Sequence, residues 1–567
     1  MDTTRIDSAF DDLSSAKERW AVLPIVDKIR YLDSIKDNTV RVARPWVEAA
    51  VKAKGLSMDQ PLAGEEWTSG PFMVLWLLKD LRASLVRLSS GIPVLEGYDV
   101  ATRPDGQVTV GVYPKSFEEG LLFAGLTAET WMQPGVTESS LESSTAAFYR
   151  QDAPSGAVSV VLGAGNIASI SVLDTVYALF NEGRVAMLKM NPVNDYLGPF
   201  FEEIFADLIA DGYVRFAYGG TDVGSYLTNH PTAETLHITG SVNSFNAIVY
   251  GKGDEGEANR RADRPVNPKP IDAELGGVGC VLVVPGKWSA KDIRFQAEHI
   301  VSYKMHNSGF NCVAAQVLVL AEEWDQKDQL LDEIRVVLAE IDDRDLYYPG
   351  SKDRCLARVR QSVDAEAFGA GDERHLITGL DATDADESWF TEEVFGPVLS
   401  VTTLPGSDPA SFLSAASSFA NDRLYGSLGA NIVIDPRTAK ANAEALDAAV
   451  ADLAFGTVTV NAWSGAAYFM TRSTWGAFPG HAMNDIQSGR GVVHNALMFD
   501  KAQKTVVRGP FAEAQRAFLK GEFHLSPKMV YFVTNKQAHV VGEKLIDYCD
   551  VPTKRKLASI AASALRG

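Results

Sequence analysis

Two hydrophobic periods divide the chain. Over residues 1 to about 95, Trp20 and Leu23 are followed by Ile25, Ile29, Leu32 and Ile35. After Pro24 the spacing is mostly three to four, that of an amphipathic helix. Helical patterning returns at 46–54 and 70–88, whereas 107–113 (QVTVGVY) alternate like a strand. Residues 130–155 are rich in Ser and Thr and lack a clear period, which predicts a connecting or edge segment. From Gly156 the pattern shortens. AVSVVL at 157–162 and VAMLK at 185–189 are continuous apolar runs, as in strands buried on both faces, with further strands at 214–218 and 235–238. Helical stretches at 167–180, 196–210 and 221–229 lie between them. This alternation predicts a parallel sheet covered by helices, with ligands at the carboxyl ends of its strands. A charged loop is expected at 251–270. A second α/β unit then runs to about Asn461, through a strand at 281–284, a helix at 292–304, a strand at 316–320 and a helix at 325–341. Past Gly509, helical patches at 511–519 and 539–548 and a basic stretch at 554–556 predict an ordered tail.

Composition narrows the function classes. The 567 residues are 46% hydrophobic, enough for a sizeable core, and carry 53 basic against 73 acidic side chains, a formal charge of −20. Such a surface repels phosphate backbones, so no nucleic-acid partner is expected. The apolar run at 72–78 is too short to span a bilayer, and the acidic start MDTTRIDSAFDDLSS is no secretory signal. A cytoplasmic protein is the expectation. Cys280, Cys312, Cys355 and Cys549 form no C-x-x-C, which argues for reduced thiols and against zinc. His299 and His306 are seven apart, which suits no common metal spacing, so both are read as structural and no metal is expected.

One cysteine stands out. Cys312 follows a small polar lead-in, Asn307-Ser308-Gly309, and precedes an apolar run. A lone cysteine is ordinarily a small core hydrophobe, but here the chain can present a thiol at the mouth of a buried element, near turn N–H groups that would stabilise a thiolate. Upstream, Gly163, Gly165 and Ala168 spell G-x-G-x-x-A between a strand and a helix, a context suited to a pyrophosphate. The acidic residue expected about twenty positions later is missing, and Lys189 ends the next strand instead.

Five stretches together resemble the aldehyde dehydrogenase superfamily. They are EEVFGPV at 392–398, ELGG at 274–277, Asn307-x-Gly309-x-x-Cys312, Thr239-Gly240-Ser241, and the strand-end Lys189, in the family's order and approximate spacing over residues 10 to 510. The resemblance implies two parallel-sheet α/β domains, a Rossmann-like cofactor domain over 1–279 and a catalytic domain over 280–485. A flap from about 130–155 and 490–508 would extend the sheet of another subunit in a homodimer or homotetramer, and 486–567 would be an oligomerisation segment and C-terminal extension. It implies a small-molecule aldehyde substrate and NAD or NADP. Cys312 would be the nucleophile, Asn166 an oxyanion donor and Glu274 a general base. Lys189, Gly240, Ser241, Glu393 and Phe395 would bind the cofactor.

The chain also departs from that pattern. Pro192 stands where NAD-preferring relatives often place a glutamate, which leaves the 2′-phosphate of NADP admissible. Phe310 replaces a usual polar residue, Phe245 lies near the place of a usual second glycine, and the tail beyond Gly509 is extra. Trp463, Tyr468, Phe469 and Trp475 hint at a bulky apolar aldehyde, although aromatic residues near a domain end are commonly core. Two alternatives stay open: a CoA-acylating reductase, disfavoured by Glu274, and a catalytically silent protein of the same fold, disfavoured by the intact Asn166, Glu274 and Cys312.

Overall fold

The computed structural model describes residues 3–123, 125–362, 364–512 and 528–567. It is a mixed α/β protein built on two large, mostly parallel sheets. The first has six strands in the order Gly489–Arg490, Ile271–Leu275, Thr235–Gly240, Val158–Leu162, Val185–Lys189 and Val214–Ala217. All neighbours pair in parallel except the short first strand. Every residue of Val185–Lys189 is buried. A strand covered by helices on both faces has no polar side to show, which is why its sequence does not alternate.

The second sheet has eleven strands. Its centre is Gly279–Val283, flanked in parallel by Ala315–Ala321 and Gly429–Val433. Beyond Ala315–Ala321 lie Val398–Leu404, Arg374–Leu380 and Asp364–Phe368. Beyond Gly429–Val433 lie Thr457–Val460, Ala502–Arg508, Thr127–Met132, Val108–Tyr113 and Asp99–Thr102. The chain changes sheets between Leu275 and Gly279, so the two glycines of ELGG form the crossing.

Here the expected flap needs correction. Its hairpin strands are Val108–Tyr113 and Thr127–Met132, N-terminal to most of 130–155, which instead form short helical turns from Glu138 to Arg150. Ala502–Arg508 pairs in parallel with Thr457–Val460 and antiparallel with Thr127–Met132 of the same chain. Within 486–567, Gly489–Arg490 joins the first sheet and Ala502–Arg508 the second.

Helices Thr3–Ala21, Ile25–Ala53 and Met73–Ser89 bear out the helical N-terminal reading. Trp20 is fully buried and its indole N–H donates to Leu179 O at 2.9 Å, which anchors the first helix to the first sheet's helical layer. The stretch 196–210 is not one helix but Gly198–Ile204 and Ala206–Ala210, parted at Phe205, whose ψ of 16° leaves the helical region. The loop at 251–270 contains a helix, Gly253–Arg261, with a single buried residue, Gly256. Glu257 bonds both Arg260 and Arg261 at 2.9 Å, so charge pairing at i+3 and i+4 supports a segment that has no apolar stripe to announce it. The tail forms Ala538–Asp550 and Lys554–Ala564, the second opening on the basic 554–556. The patch expected at 511–519 lies, from 513 on, outside the described residues.

Candidate active site

Helix Ala290–Met305 begins at a capping box, Ser289 and Asp292, and is nearly all buried along its length. It ends where the backbone turns left-handed: Asn307, Ser308 and Gly309 have φ of 52°, 54° and 75°. Three such residues in succession are costly and persist only where their surroundings fix them. A Cβ on Gly309 would collide with the carbonyl of Gly396, so the cysteine turn and the EEVFGPV turn close on each other through a glycine. The same happens once more. A Cβ on Gly276 would collide with the Glu393 carboxylate, which accepts the Gly277 N–H. Three stretches far apart in the chain therefore meet at one place.

The tight turn delivers Cys312 partly exposed, just before the fully buried strand Ala315–Ala321. Its Sγ faces its own N–H and that of Val313, which favour the thiolate, but burial and the carboxyls of Glu274 and Glu393 outweigh them and push the thiol well up. Cys312 and Glu274 border one cavity, partly open to solvent, of about 620 Å³ with that open space included. Its walls are mostly apolar, with Ile167, Ile170, Trp463, Tyr468, Phe469 and Trp475 among them. Glu274 is buried, and neither carboxyl oxygen has a hydrogen-bond partner. Burial, then Asp174 and Asp272, raise it well above the usual carboxylate range.

Asn166 lies against the same turn. Its amide donates to Phe310 O at 3.0 Å, and Asn307 Nδ2 donates to that carbonyl at 3.0 Å as well. An amide carries two N–H donors, so Asn166 keeps a second one; Asn166 itself does not line the cavity, whereas its neighbour Ile167 does. The Asn166 carbonyl accepts from Asn307 Nδ2 at 3.1 Å and from the Tyr347 hydroxyl at 3.0 Å. Behind the turn lies a network that the sequence did not reveal. Glu65 takes Arg344 on both oxygens at 2.9 and 3.0 Å and accepts Asn307 N–H at 3.1 Å. Lys54 pairs with Glu66 at 2.6 Å and donates to Asn307 Oδ1 at 3.0 Å. These partners span more than 250 residues of sequence and leave no local signature.

The proposed cofactor residues line the carboxyl ends of the first sheet's strands and the crossing. Lys189 is buried, donates to Met190 O at 3.1 Å, and is lowered by burial against the opposing pull of Asp195 and Asp222. Gly240 is exposed, and Ser241 caps helix Val242–Val249 by accepting the Ser244 N–H. An added Cβ at Gly240 would meet only Ile238, at 3.5 Å, so the approach is open. Phe395 packs edgewise on Tyr348 and leans on Phe310, with ring centroids 5.2 and 5.5 Å away. Sequence reasoning missed Asp174, which borders the cavity, accepts the Thr239 hydroxyl at 2.8 Å and leaves one buried oxygen without a partner. It also set His306 aside as structural; the ring borders the cavity, 5.0 Å from that of Trp463. Among the described residues no His, Cys, Asp and Glu cluster could hold a metal ion, and no helix is long and apolar enough to cross a membrane.

The fold and the meeting of the motifs define a two-sheet α/β protein with a thiol at the crossing. Comparison with known proteins shows what the chain is similar to. The aldehyde dehydrogenase family model matches residues 120–342. Aminoacetaldehyde dehydrogenase of Pseudomonas aeruginosa is 27% identical over 224 residues, 37% of this chain and 41% of that protein. 1-Pyrroline-5-carboxylate dehydrogenase 2 of Bacillus subtilis is 26% identical over 296 residues, 49% and 54% of the two chains. The chain thus spans about half the length of the curated relatives it matches. In structure it is similar to aldehyde dehydrogenase C from Pseudomonas syringae, solved with NAD+ and octanal, at a TM-score of 0.60 and 15% identity over 90% of this chain and 89% of that one. Over residues 120–342 this chain is thus similar in sequence to aldehyde dehydrogenases, and over most of its length it shares their fold.

Proposed function

We propose that the chain oxidises an aldehyde to a carboxylic acid with NAD or NADP. The observation that carries the reading is a thiol and an unpartnered carboxyl bordering one apolar cavity, at the point where the chain passes between two sheets. The residues around that point fit a dinucleotide. Lys189 is a cation suited to ribose hydroxyls or a 2′-phosphate, Gly240 and Ser241 leave a helix start open to a pyrophosphate, and Glu393 and Phe395 border the crossing.

Cys312 would add to the carbonyl carbon of the aldehyde and form a thiohemiacetal. The free N–H of the Asn166 amide, with the backbone N–H of Cys312, would hold its oxyanion. Lys189, Gly240, Ser241, Glu393 and Phe395 would hold a nicotinamide dinucleotide, which would supply a hydride acceptor; loss of hydride from the adduct would leave a thioester on Cys312. Glu274 would then take a proton from water as the water's oxygen attacks the thioester carbon; the acid leaves and the cysteine is restored. Burial raises both groups, which disfavours the ionised form that each step uses.

The test is NAD(P)H absorbance with a panel of aldehydes, each with and without CoA. Turnover without CoA supports the reading. Turnover only with CoA would transfer the acyl group to a thiol acceptor, and none with any aldehyde would leave a silent member of the fold.

A further inference from the structure

Beside the Cys312 cavity lies a second and larger one, partly open to solvent, of about 1120 Å³ with that open space included. Phe469 lines both. Neighbours in sequence divide the rest of the boundary: Thr68 faces the large chamber and Ser69 the Cys312 cavity, while Ala466 and Gly465 divide in the same way. The partition is therefore one residue thick, with Phe469 facing both sides. Its ring is only partly buried.

The chamber's far wall is the C-terminal tail. Helix Ala538–Asp550 contributes Val541 and Leu545, and helix Lys554–Ala564 contributes Leu557, Ile560, Ala561 and Ala564. Among the described residues only three polar side chains reach the lining, and all three are engaged. Thr68 donates to Gly64 O at 2.8 Å, the Tyr531 hydroxyl lies 2.7 Å from His299 Nε2, and Lys528 pairs with Glu298 at 2.8 Å. Among the described residues the lining offers no free donor, acceptor or charge, so the space suits an apolar occupant.

Resting on the dehydrogenase reading above, we infer that the C-terminal helices build a receptor for the tail of a long-chain apolar aldehyde, whose carbonyl reaches Cys312 past Phe469. Each buried methylene is worth about fourfold in kcat/KM, about 0.8 kcal/mol.

Two measurements test it. The first is kcat/KM for linear aldehydes from propanal to dodecanal, in wild type, Ala561→Trp, Ala564→Phe and Ala562→Trp. The first two substitutions fill the chamber from one helix face; Ala562 is exposed outside it. The wild type should gain about fourfold per methylene over the longer aldehydes. Ala561→Trp and Ala564→Phe should remove that gain and leave propanal unchanged, and Ala562→Trp should change neither. A flat or falling chain-length profile, or one that both filling variants preserve, overturns the inference. The second is calorimetric binding of decan-1-ol, which carries a tail and no aldehyde. Binding to wild type that both filling variants abolish supports the chamber even if no aldehyde turns over, and in that case the dehydrogenase reading alone falls. No binding to wild type, or equal binding to all variants, overturns it.

Discussion

Two glutamates approach the same cysteine turn from opposite sides, and the protein treats them in opposite ways. Glu65, behind the turn, is buried and ion-paired; burial alone would raise it, but Arg344, His306 and Lys54 outweigh burial and lower it. Glu274, across the cavity from the scaffold, is equally buried with no cation and no donor, and is raised. A buried carboxyl without a partner costs stability, so folding alone gives no reason to place one there. The paired glutamate fixes the backbone that presents Cys312. The unpaired one keeps its lone pairs for something the folded chain does not contain. The contrast separates scaffold from chemistry more sharply than residue type does.

The sharpest break in that comparison is removal of the thiol. Cys312→Ala should reduce aldehyde oxidation to background, while Cys280→Ala, Cys355→Ala and Cys549→Ala keep it, because these three thiols lie outside the cavity. Intact-protein mass spectrometry after mixing with aldehyde and cofactor should place the acyl adduct on Cys312. An adduct on any of the other three would overturn the assignment of the site.

Glu274→Gln comes next. It keeps size and hydrogen bonding but cannot accept a proton from water. Steady turnover should fall by about 10²–10⁴, the worth of a positioned general base, while an initial burst near one NAD(P)H per site survives. If the burst disappears too, Glu274 serves to activate the thiol. If turnover is unchanged, Glu274 is not the base at all.

The scaffold side is probed by Arg344→Met, which strands Glu65 as an unpaired buried charge. It should cost about 3–5 kcal/mol of unfolding free energy in urea titration. Glu274→Met, by contrast, should cost little or stabilise, since it removes a buried polar group that has no partner. Equal losses from the two would erase the distinction between them.

These two glutamates also mark how far the sequence could be read. Glu274 was found because it sits in a four-residue string, and Glu65 was not, because Arg344 is 279 positions away. The same holds for the fold. Val185–Lys189 was legible to the residue, since a strand buried on both faces is a continuous apolar run. Gly253–Arg261 was not, since only ion pairs distinguish it from a charged loop. The hairpin of Val108–Tyr113 and Thr127–Met132 was placed too late in the chain, because Ser- and Thr-rich 130–155 looked like edge strand and folds as helical turns. Asp174 was hidden inside a helical period, where one acidic residue reads as a solvated face; it is 2% exposed.

Lys189 gives a smaller test. No acidic residue was found in the sequence to hold a ribose diol there, so NADP should bind at least comparably to NAD. Lys189→Met should weaken NADP more than NAD by about tenfold or more, the value of one hydrogen bond to a charged group, about 1.5–3 kcal/mol. A strong wild-type preference for NAD would mean that another residue supplies the missing carboxylate.

The finest test reads Glu274 through stability alone and needs no substrate. A carboxyl raised in the folded state holds its proton where the unfolded chain has already lost it. Below the unfolded pKa, about 4.3, both states are protonated and nothing is lost. As pH rises from there toward the raised folded value, the folded state binds more protons than the unfolded one, and stability falls by about 1.4 kcal/mol per pH unit. Other groups titrate over the same range, so the quantity to measure is the difference between wild type and Glu274→Gln, in urea at successive pH values. The variant should gain on wild type by that slope from about pH 5 upward, and the difference should be flat below pH 4. Glu65→Gln should show the opposite sign. Its lowered carboxyl stabilises the fold above the unfolded pKa, and that contribution disappears as pH falls through the folded value. A flat difference for Glu274→Gln across the whole range would mean that the carboxyl is solvated or paired after all. The cavity would then lose its base, and the contrast between the two glutamates would collapse to one of position.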